Sequence, residues 1–320
     1  MAGPGYFLGV DGGGTKTAFI LTDAVGQVVS RHEGGPSYYI QIGFEGLHAL
    51  LHDGVDAVLA QAGAKPQDII YAFFGLPAHG EDSSAQPFLD VIPEAVLGHH
   101  RYACGNDMIC GWAGSLAGED GINIVAGTGS IGYGEHKGLK ARGGGWGETF
   151  SDEGSAYWIA VQGLNAFSRM GDGRLPRGLL YDLLMQELAL KSDLDICGYV
   201  YAKASPSRDR IAALSRLVAK AAAQGDAEAK RIFAEAGREL AAIVDAIRVK
   251  LDYAPGETVS LSYSGGVFQG GELILHPFRE RLTAFSPDYK LIMPRHSPAL
   301  GAAFYAARLS GQTIGLPVNA

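Results

Sequence analysis

The chain has 320 residues, 47% hydrophobic and 19% charged, with a formal net charge of −8. That balance describes a folded globular protein of about two domains and excludes a disordered tail. An acidic chain without a Lys/Arg cluster is also a poor partner for nucleic acid or an anionic membrane.

Tyr6–Val10 reads as a short strand that ends in Asp11-Gly-Gly-Gly-Thr15-Lys16, and Thr17–Thr22 follows at once as a second strand. After a turn over Asp23–Gly26, Gln27–Arg31 reads as a third. The glycine cluster is therefore the turn of a β-hairpin. A Walker-A or Rossmann loop joins a strand to a helix instead, and GxxxxGK[ST] is absent. Phe44–Ala62 has helical spacing, Ile69–Phe74 is a buried-type strand, and a helix is expected around Pro87–Val96. His100–Cys104 is a further strand and Asn106–Leu116 a further helix, so the first half runs βββ-α-β-α-β-α. The pattern then restarts. Gly121–Ala126 is a strand, Gly127-Thr128-Gly129-Ser130 a second glycine turn, and Ile131–Gly134 the returning strand. Two apolar strands, each followed by a small-residue hairpin carrying a hydroxyl, indicate an internal duplication. Helices are expected over Glu153–Arg169, Arg177–Leu190, Ser207–Ala223 and Asp226–Leu251. Val259–Tyr263 is a strand leading into Ser264-Gly265-Gly266, Lys290–Met293 is the last strand, and Pro298 opens a closing helix to Leu309.

Glycines admit backbone N–H groups close to an anion, and Thr15, Thr128 and Ser130 add hydroxyls while Lys16 adds charge. Each hairpin is either a tight β-turn or half of a polyphosphate grip. Asp11 beside such a turn either hydrogen-bonds turn amides or holds Mg²⁺ between itself and a phosphate. Asp107 is either a helix N-cap or a general base for a substrate hydroxyl. Gly145-Trp146-Gly147 followed by Asp152-Glu153 suits a polar ring such as a sugar; alternatively Ser151 or Asp152 caps a helix and Trp146 is core. The glycines of Ser264-Gly265-Gly266 would let a flat ligand lie against backbone. Cys104, Cys110 and Cys197 lack the CxxC spacing of zinc or redox sites and read as ordinary buried thiols. The nine histidines form neither HxxxH nor HExxH, which argues against a catalytic zinc. No apolar run reaches 18 residues, and Met1–Gly5 lack a basic n-region, so a cytoplasmic enzyme is expected.

The order Asp11-Gly-Gly-Gly-Thr15, Asp107, Gly127-Thr-Gly-Ser130, Ser264-Gly-Gly266, Pro298-Ala-Leu-Gly301 resembles the sugar kinase/actin/Hsp70 superfamily. Gly145-Trp-Gly147 and Asp152-Glu-Gly-Ser-Ala-Tyr-Trp158 resemble its BadF/BadG/BcrA/BcrD ATPase family, most closely the N-acetylglucosamine kinase branch. The resemblance implies an α/β fold of two actin-like (ribonuclease H-like) lobes around a central cleft. One lobe would be residues 1–118 plus 299–320 and the other 119–298, with ATP and an amino sugar as ligands. It implies Gly13, Thr15 and Lys16 in the first phosphate loop, Gly127, Thr128, Gly129 and Ser130 in the second, and Gly265 and Gly266 at the adenosine. Asp11 would hold Mg²⁺ through water and Asp107 would be the catalytic base. Tyr38, Gly145, Trp146 and Asp152 would meet the sugar, although relatives often carry Asn where Tyr38 stands. The implied reaction is transfer of the ATP γ-phosphoryl group to the 6-hydroxyl of N-acetylglucosamine. Glucosamine is the nearest other acceptor, and homodimerisation is a family expectation. A radical-dehydratase activator would need cysteines at an iron–sulfur interface. A chaperone or filament protein would need more chain, and a sugar-sensing regulator a helix-turn-helix before Tyr6.

Overall fold

The computed structural model describes residues 5–201 and 207–312, so the reading of the first four residues lies outside the described part. The chain divides into two units. One runs to Asp120 and resumes at Met293; the other is Gly121–Ile292.

In the first unit β1 (Tyr6–Asp11), β2 (Thr17–Asp23) and β3 (Val28–Gly34) form an antiparallel meander, with residues 12–16 as the hairpin turn. Then come α1 (Tyr39–Ala62), β4 (Ile69–Gly75), α2 (Gln86–Leu97), β5 (Tyr102–Gly105) and α3 (Met108–Leu116). The sheet order is β3-β2-β1-β4-β5, with β4 parallel to β1 and β5 parallel to β4. Side chains of a strand alternate between faces. Tyr6, Leu8 and Val10 accordingly join Leu47, Leu51, Val55 and Leu89 in one core. Phe7, Gly9 and Asp11 point to the opposite face.

The second unit opens with β6 (Gly121–Ala126), β7 (Ser130–His136) and β8 (Leu139–Gly144). Among the described residues six helices follow: α4 (Ala156–Gly171), α5 (Leu179–Glu187), α6 (Asp195–Tyr201), α7 (Arg208–Ala212), α8 (Ser215–Ala223) and α9 (Ala227–Lys250). The unit ends with β9 (Val259–Ser264), α10 (Glu272–Phe285) and β10 (Tyr289–Ile292). Its sheet, β10-β9-β6-β7-β8, repeats the first sheet's order and strand directions, as the duplication requires. Ile124, Phe167, Ile232, Phe233, Leu240, Val244 and Phe278 lie in its core.

The final helix, α11 (Pro298–Leu309), belongs to the first unit and covers the second face of its sheet. A Cβ on Gly9 would fall onto the backbone of Ala299 and Ala303, and one on Gly301 would fall onto Gly114. Backbone therefore packs on backbone at both places. Tyr305 meets Phe73 and Trp112 edge-on, with ring centroids 4.8 and 5.8 Å apart.

Three local readings change. The single helix expected over Ser207–Ala223 is α7 and α8, because Leu214 N–H bonds to Ile211 and Leu217 N–H to Leu214, the tighter i→i+3 spacing. The helix expected from Glu153 starts at Ala156, capped by Ser155, whose hydroxyl accepts the Trp158 N–H at 3.1 Å. Strand β8 was not anticipated, since Leu139-Lys-Ala-Arg-Gly-Gly144 has no apolar run and forms a sheet edge.

Candidate active site

In the first unit, three parallel strands end level, with Asp11 paired to Gly75 and Gly75 to Gly105. The carboxyl ends of parallel strands are where α/β sheets place ligands. The two residues after Gly105 are Asn106 and Asp107. The side chain of Asn106, not that of Asp107, caps α3: its Oδ1 accepts the Met108 N–H at 3.2 Å, while Asp107 makes no side-chain cap bond. Asp107 thus stands at the N-cap position without its side chain serving as the cap.

Asp11 is aimed towards α3 by strand alternation. Its carboxyl is pushed up from the usual 3.8 to about 7, first by burial and then by the charge of Asp107; the Cys110 thiol and Lys16 oppose the rise. Cys110 is fully buried and its thiol donates to the Val10 carbonyl at 3.6 Å. Burial, with Asp11 and Asp107 beside it, raises that thiol well above its ordinary range. Gly75 lets these groups converge, because a Cβ there would collide with Cys110 Sγ and lie 3.3 Å from the Asp107 Cα.

The first hairpin turn is anchored by Gly12 N–H to the Gly75 carbonyl (2.8 Å) and by Ser37 N–H to the Gly13 carbonyl (3.0 Å). The Ser37 hydroxyl is buried against Gly12 and has no hydrogen-bond partner among the described residues. Thr15 and Lys16 are exposed, and Lys16 Nζ is paired with Glu33 at 2.6 Å. Tyr38, beside Ser37, opens α1 and meets Tyr39 edge-on. Two buried or half-buried carboxylates with a turn of backbone amides form a hard-oxygen site of excess negative charge, and these residues fit Mg²⁺.

In the second unit, the Gly127–Ser130 turn is welded to the start of α4. The Ala156 and Tyr157 N–H groups donate to the Gly127 and Thr128 carbonyls at 2.8 and 3.2 Å. Ser130 Oγ donates to the Glu153 carbonyl at 2.7 Å, and Thr128 Oγ1 to Asp209 at 3.1 Å. Gly265 sits at φ 103°, and a Cβ on it would strike the Ala126 backbone. Both motifs border one cavity of about 520 Å³, where Gly127 and Thr128 face Gly266 and Val267, with Phe233 and Arg216 on the walls.

Asp152 is buried with a left-handed backbone (φ 58°). It accepts hydrogen bonds from the Gly147 and Ser130 backbone and is paired with Arg208. Burial raises its pKa, and Arg208 opposes the rise. Arg208 also reaches Glu148 at 3.2 Å. Asp152 thus ties the second turn to the Gly145–Gly147 loop. Trp146 is 71% exposed, not core, beside a similarly exposed Phe150, while the Gly145 carbonyl accepts a bond from Arg142.

Sequence reasoning missed Gly75, Cys110, Ser37 and Arg208. Only Gly75, at the end of an apolar run, carried a readable signal.

Residues 8–306 match the family described as the BadF/BadG/BcrA/BcrD ATPase family. The chain is 31% identical over 303 residues to an N-acetylmuramic acid/N-acetylglucosamine kinase of Clostridium acetobutylicum, covering 94% of this chain and 98% of the relative. It is 26% identical over 309 residues to N-acetyl-D-glucosamine kinase of Dictyostelium discoideum, with 94% and 97% covered. Among solved structures, a Chromobacterium violaceum protein provisionally named N-acetylglucosamine kinase shares the fold with a TM-score of 0.71. That match has 24% identity and covers 95% of this chain and 99% of the other.

Proposed function

Because this chain belongs to the BadF/BadG/BcrA/BcrD ATPase family, we propose that it is an ATP-dependent amino-sugar kinase that phosphorylates the 6-hydroxyl of N-acetylglucosamine. It is a sugar kinase, a phosphotransferase with an alcohol group as acceptor. The observation that supports phosphoryl transfer is the convergence of Asp11 and Asp107 at the carboxyl ends of the strands, beside a turn of backbone amides. Phosphoryl transfer asks little more of a protein than positioning, charge neutralisation and one carboxylate to orient the acceptor.

Asp107 accepts the proton of the sugar hydroxyl as that oxygen attacks the γ-phosphorus and the bond to the β-phosphate oxygen breaks. Gly13, Thr15 and Lys16 bind phosphate in the first turn, with Lys16 exchanging Glu33 for the anion. Gly127, Thr128, Gly129 and Ser130 bind it in the second, chiefly through backbone N–H groups, since the Ser130 hydroxyl is already engaged. Gly265 and Gly266 lie against the nucleoside, with Gly266 on the wall of the 520 Å³ cavity. Asp11 would hold Mg²⁺ through water, and the ion supplies neutralisation of the phosphate charge. Tyr38, Gly145, Trp146 and Asp152 meet the sugar. A Tyr at position 38 also makes glucosamine an acceptor to test, because it offers one hydroxyl where an Asn would offer an amide.

The test is ADP release with Mg-ATP against N-acetylglucosamine, glucosamine, N-acetylmannosamine, glucose and no sugar. Release strongest with N-acetylglucosamine is expected; preference for glucosamine would move the acceptor, and absence of any sugar dependence would overturn the kinase. Asp107→Asn should lower kcat by about 10²–10⁴-fold, with a melting temperature no lower than that of the wild type, because the variant removes a charge that repels Asp11. Near-wild-type turnover would remove Asp107 from the base role.

A further inference from the structure

A second cluster of metal-ligating side chains lies in the first unit, away from the groups used above. A ring nitrogen of His79, an Asp90 carboxylate oxygen and Cys104 Sγ all lie within 4.8 Å of one another. They come from three elements: the loop after β4, helix α2 and strand β5. The loop is shaped to deliver the histidine. Ala78, just before it, has φ 65°, a left-handed conformation that a non-glycine residue holds only at a cost.

The protons around His79 do not balance. His79 Nε2 lies 2.8 Å from Asp90 Oδ1 and 2.7 Å from the Gln86 side-chain nitrogen, which itself lies 3.0 Å from the same Asp90 oxygen. The amide orientation of Gln86 is set, because its oxygen accepts the Gly80 N–H at 2.8 Å. If His79 Nε2 carries a proton and donates to Asp90, the Gln86 N–H meets another N–H. If Nε2 is bare and accepts from Gln86, its neighbour Asp90 is a carboxylate at hydrogen-bond distance with no proton between them. No tautomer satisfies all three contacts. His79 and Asp90 are held at ion-pair distance, and Cys104, whose thiol donates to the Leu89 carbonyl at 3.6 Å, lies beside them; a cation that takes all three removes the mismatch.

We propose that His79, Asp90 and Cys104 form a binding site for one zinc-type divalent transition-metal ion. Imidazole, thiolate and carboxylate together select Zn²⁺ and its cobalt surrogate over Mg²⁺ or Ca²⁺, which take oxygen ligands. Three protein ligands leave a fourth position for water, on the side where Asp90 is exposed. The ion displaces the thiol proton of Cys104 to solvent and ties the β4–α2 loop to β5. The same loop receives Asn106, whose Nδ2 donates to the His79 carbonyl at 3.2 Å. Asn106 directly precedes Asp107, so metal at this site braces the chain at the proposed base. Ligands at positions 79, 90 and 104 have no zinc-motif spacing, and the site arises only from folding.

The experiment titrates the metal-free full chain with Co²⁺ and with Zn²⁺ in excess Mg²⁺. One Co²⁺ per chain is expected, with a thiolate-to-cobalt charge-transfer band and tetrahedral d–d bands, both bleached by one equivalent of Zn²⁺. Cys104→Ser and His79→Gln should each weaken Zn²⁺ binding by about a hundredfold or more, and Cys197→Ser should leave it unchanged. Zn²⁺ should raise the melting temperature of the wild type and not of those two variants. A wild-type cobalt spectrum without the thiolate band, or equal Zn²⁺ affinity in Cys104→Ser, overturns the site. The readouts are spectroscopic and calorimetric, so they stand whether or not the chain phosphorylates a sugar.

Discussion

At the scale of single residues, Asp11 is the most perturbed carboxyl at the proposed site, and its titration gives a direct test. Its pKa is raised from 3.8 to about 7 by burial and by Asp107. A raised folded-state value means that Asp11 contributes stability while it is neutral. That contribution is complete below about pH 4 and is lost as pH rises towards 7. The rise is worth up to about 4 kcal/mol before water reaching the carboxyl reduces it. Asp11→Asn carries no such charge. In buffer free of divalent cations, the variant should therefore become progressively more stable than the wild type between pH 4 and pH 8. Denaturant unfolding at both pH values measures this; a stability difference independent of pH would show that Asp11 is not strained by its charge. Asp11 and Asp107 were both readable as candidates, because Asp11 ends a strand at a glycine-rich turn and Asp107 falls between a strand and a helix. Their coupling was not, since it depends on Gly75 and Cys110, which approach only once β1, β4 and α3 are packed.

Among the elements, those with their own start and stop signals were legible. The expected closing helix agrees with α11 from Pro298 to Leu309, because Ser297 caps it at 3.4 Å and Pro298 occupies its first turn. The expected start at Phe44 coincides with a break in α1, where Gly43 takes φ 72°. Elements set by tertiary context were not legible: β8 as an edge strand, and the α7–α8 division. Asp226, read from the sequence only as the first residue of a helix, is an element-scale keystone. One carboxylate oxygen accepts the Ala229 N–H at the start of α9, and the other accepts the Leu180 N–H in α5, both at 2.9 Å. Asp226→Ala orphans two buried donors. It should cost about 2–4 kcal/mol, more than a single cap at ~1 kcal/mol, because each buried unsatisfied group adds ~1–3. Chemical denaturation reads the loss; a cost near that of a simple cap would mean that the Leu180 bond contributes nothing.

For the whole molecule, the decisive feature is that the first unit is discontinuous in sequence and the second is not. The sheet β1–β5 has one face covered by α1 and α2, whereas α11 closes the other with backbone-to-backbone contacts at Gly9 and Gly301. Removing residues 297–320 should therefore unfold β1–β5 while β6–β10 keep their amide protection, a pattern hydrogen exchange resolves by segment. Equal protection in both units would show that α11 is dispensable.

That discontinuity sets an order of events at the ribosome. Synthesis proceeds at about 5–20 residues per second, so the strand carrying Asp11 leaves the ribosome on the order of ten seconds or more before the helix that completes its sheet. Through that interval Phe7 and Phe73 lack Tyr305 and the rest of α11, while Gly121–Ile292 can already close around its own core. The half that bears the proposed base is made first and finished last. A nonsense codon between Ile292 and α11 would thus disable residues encoded well upstream of it, and the β1–β5 segment is where a holding chaperone would have most to cover.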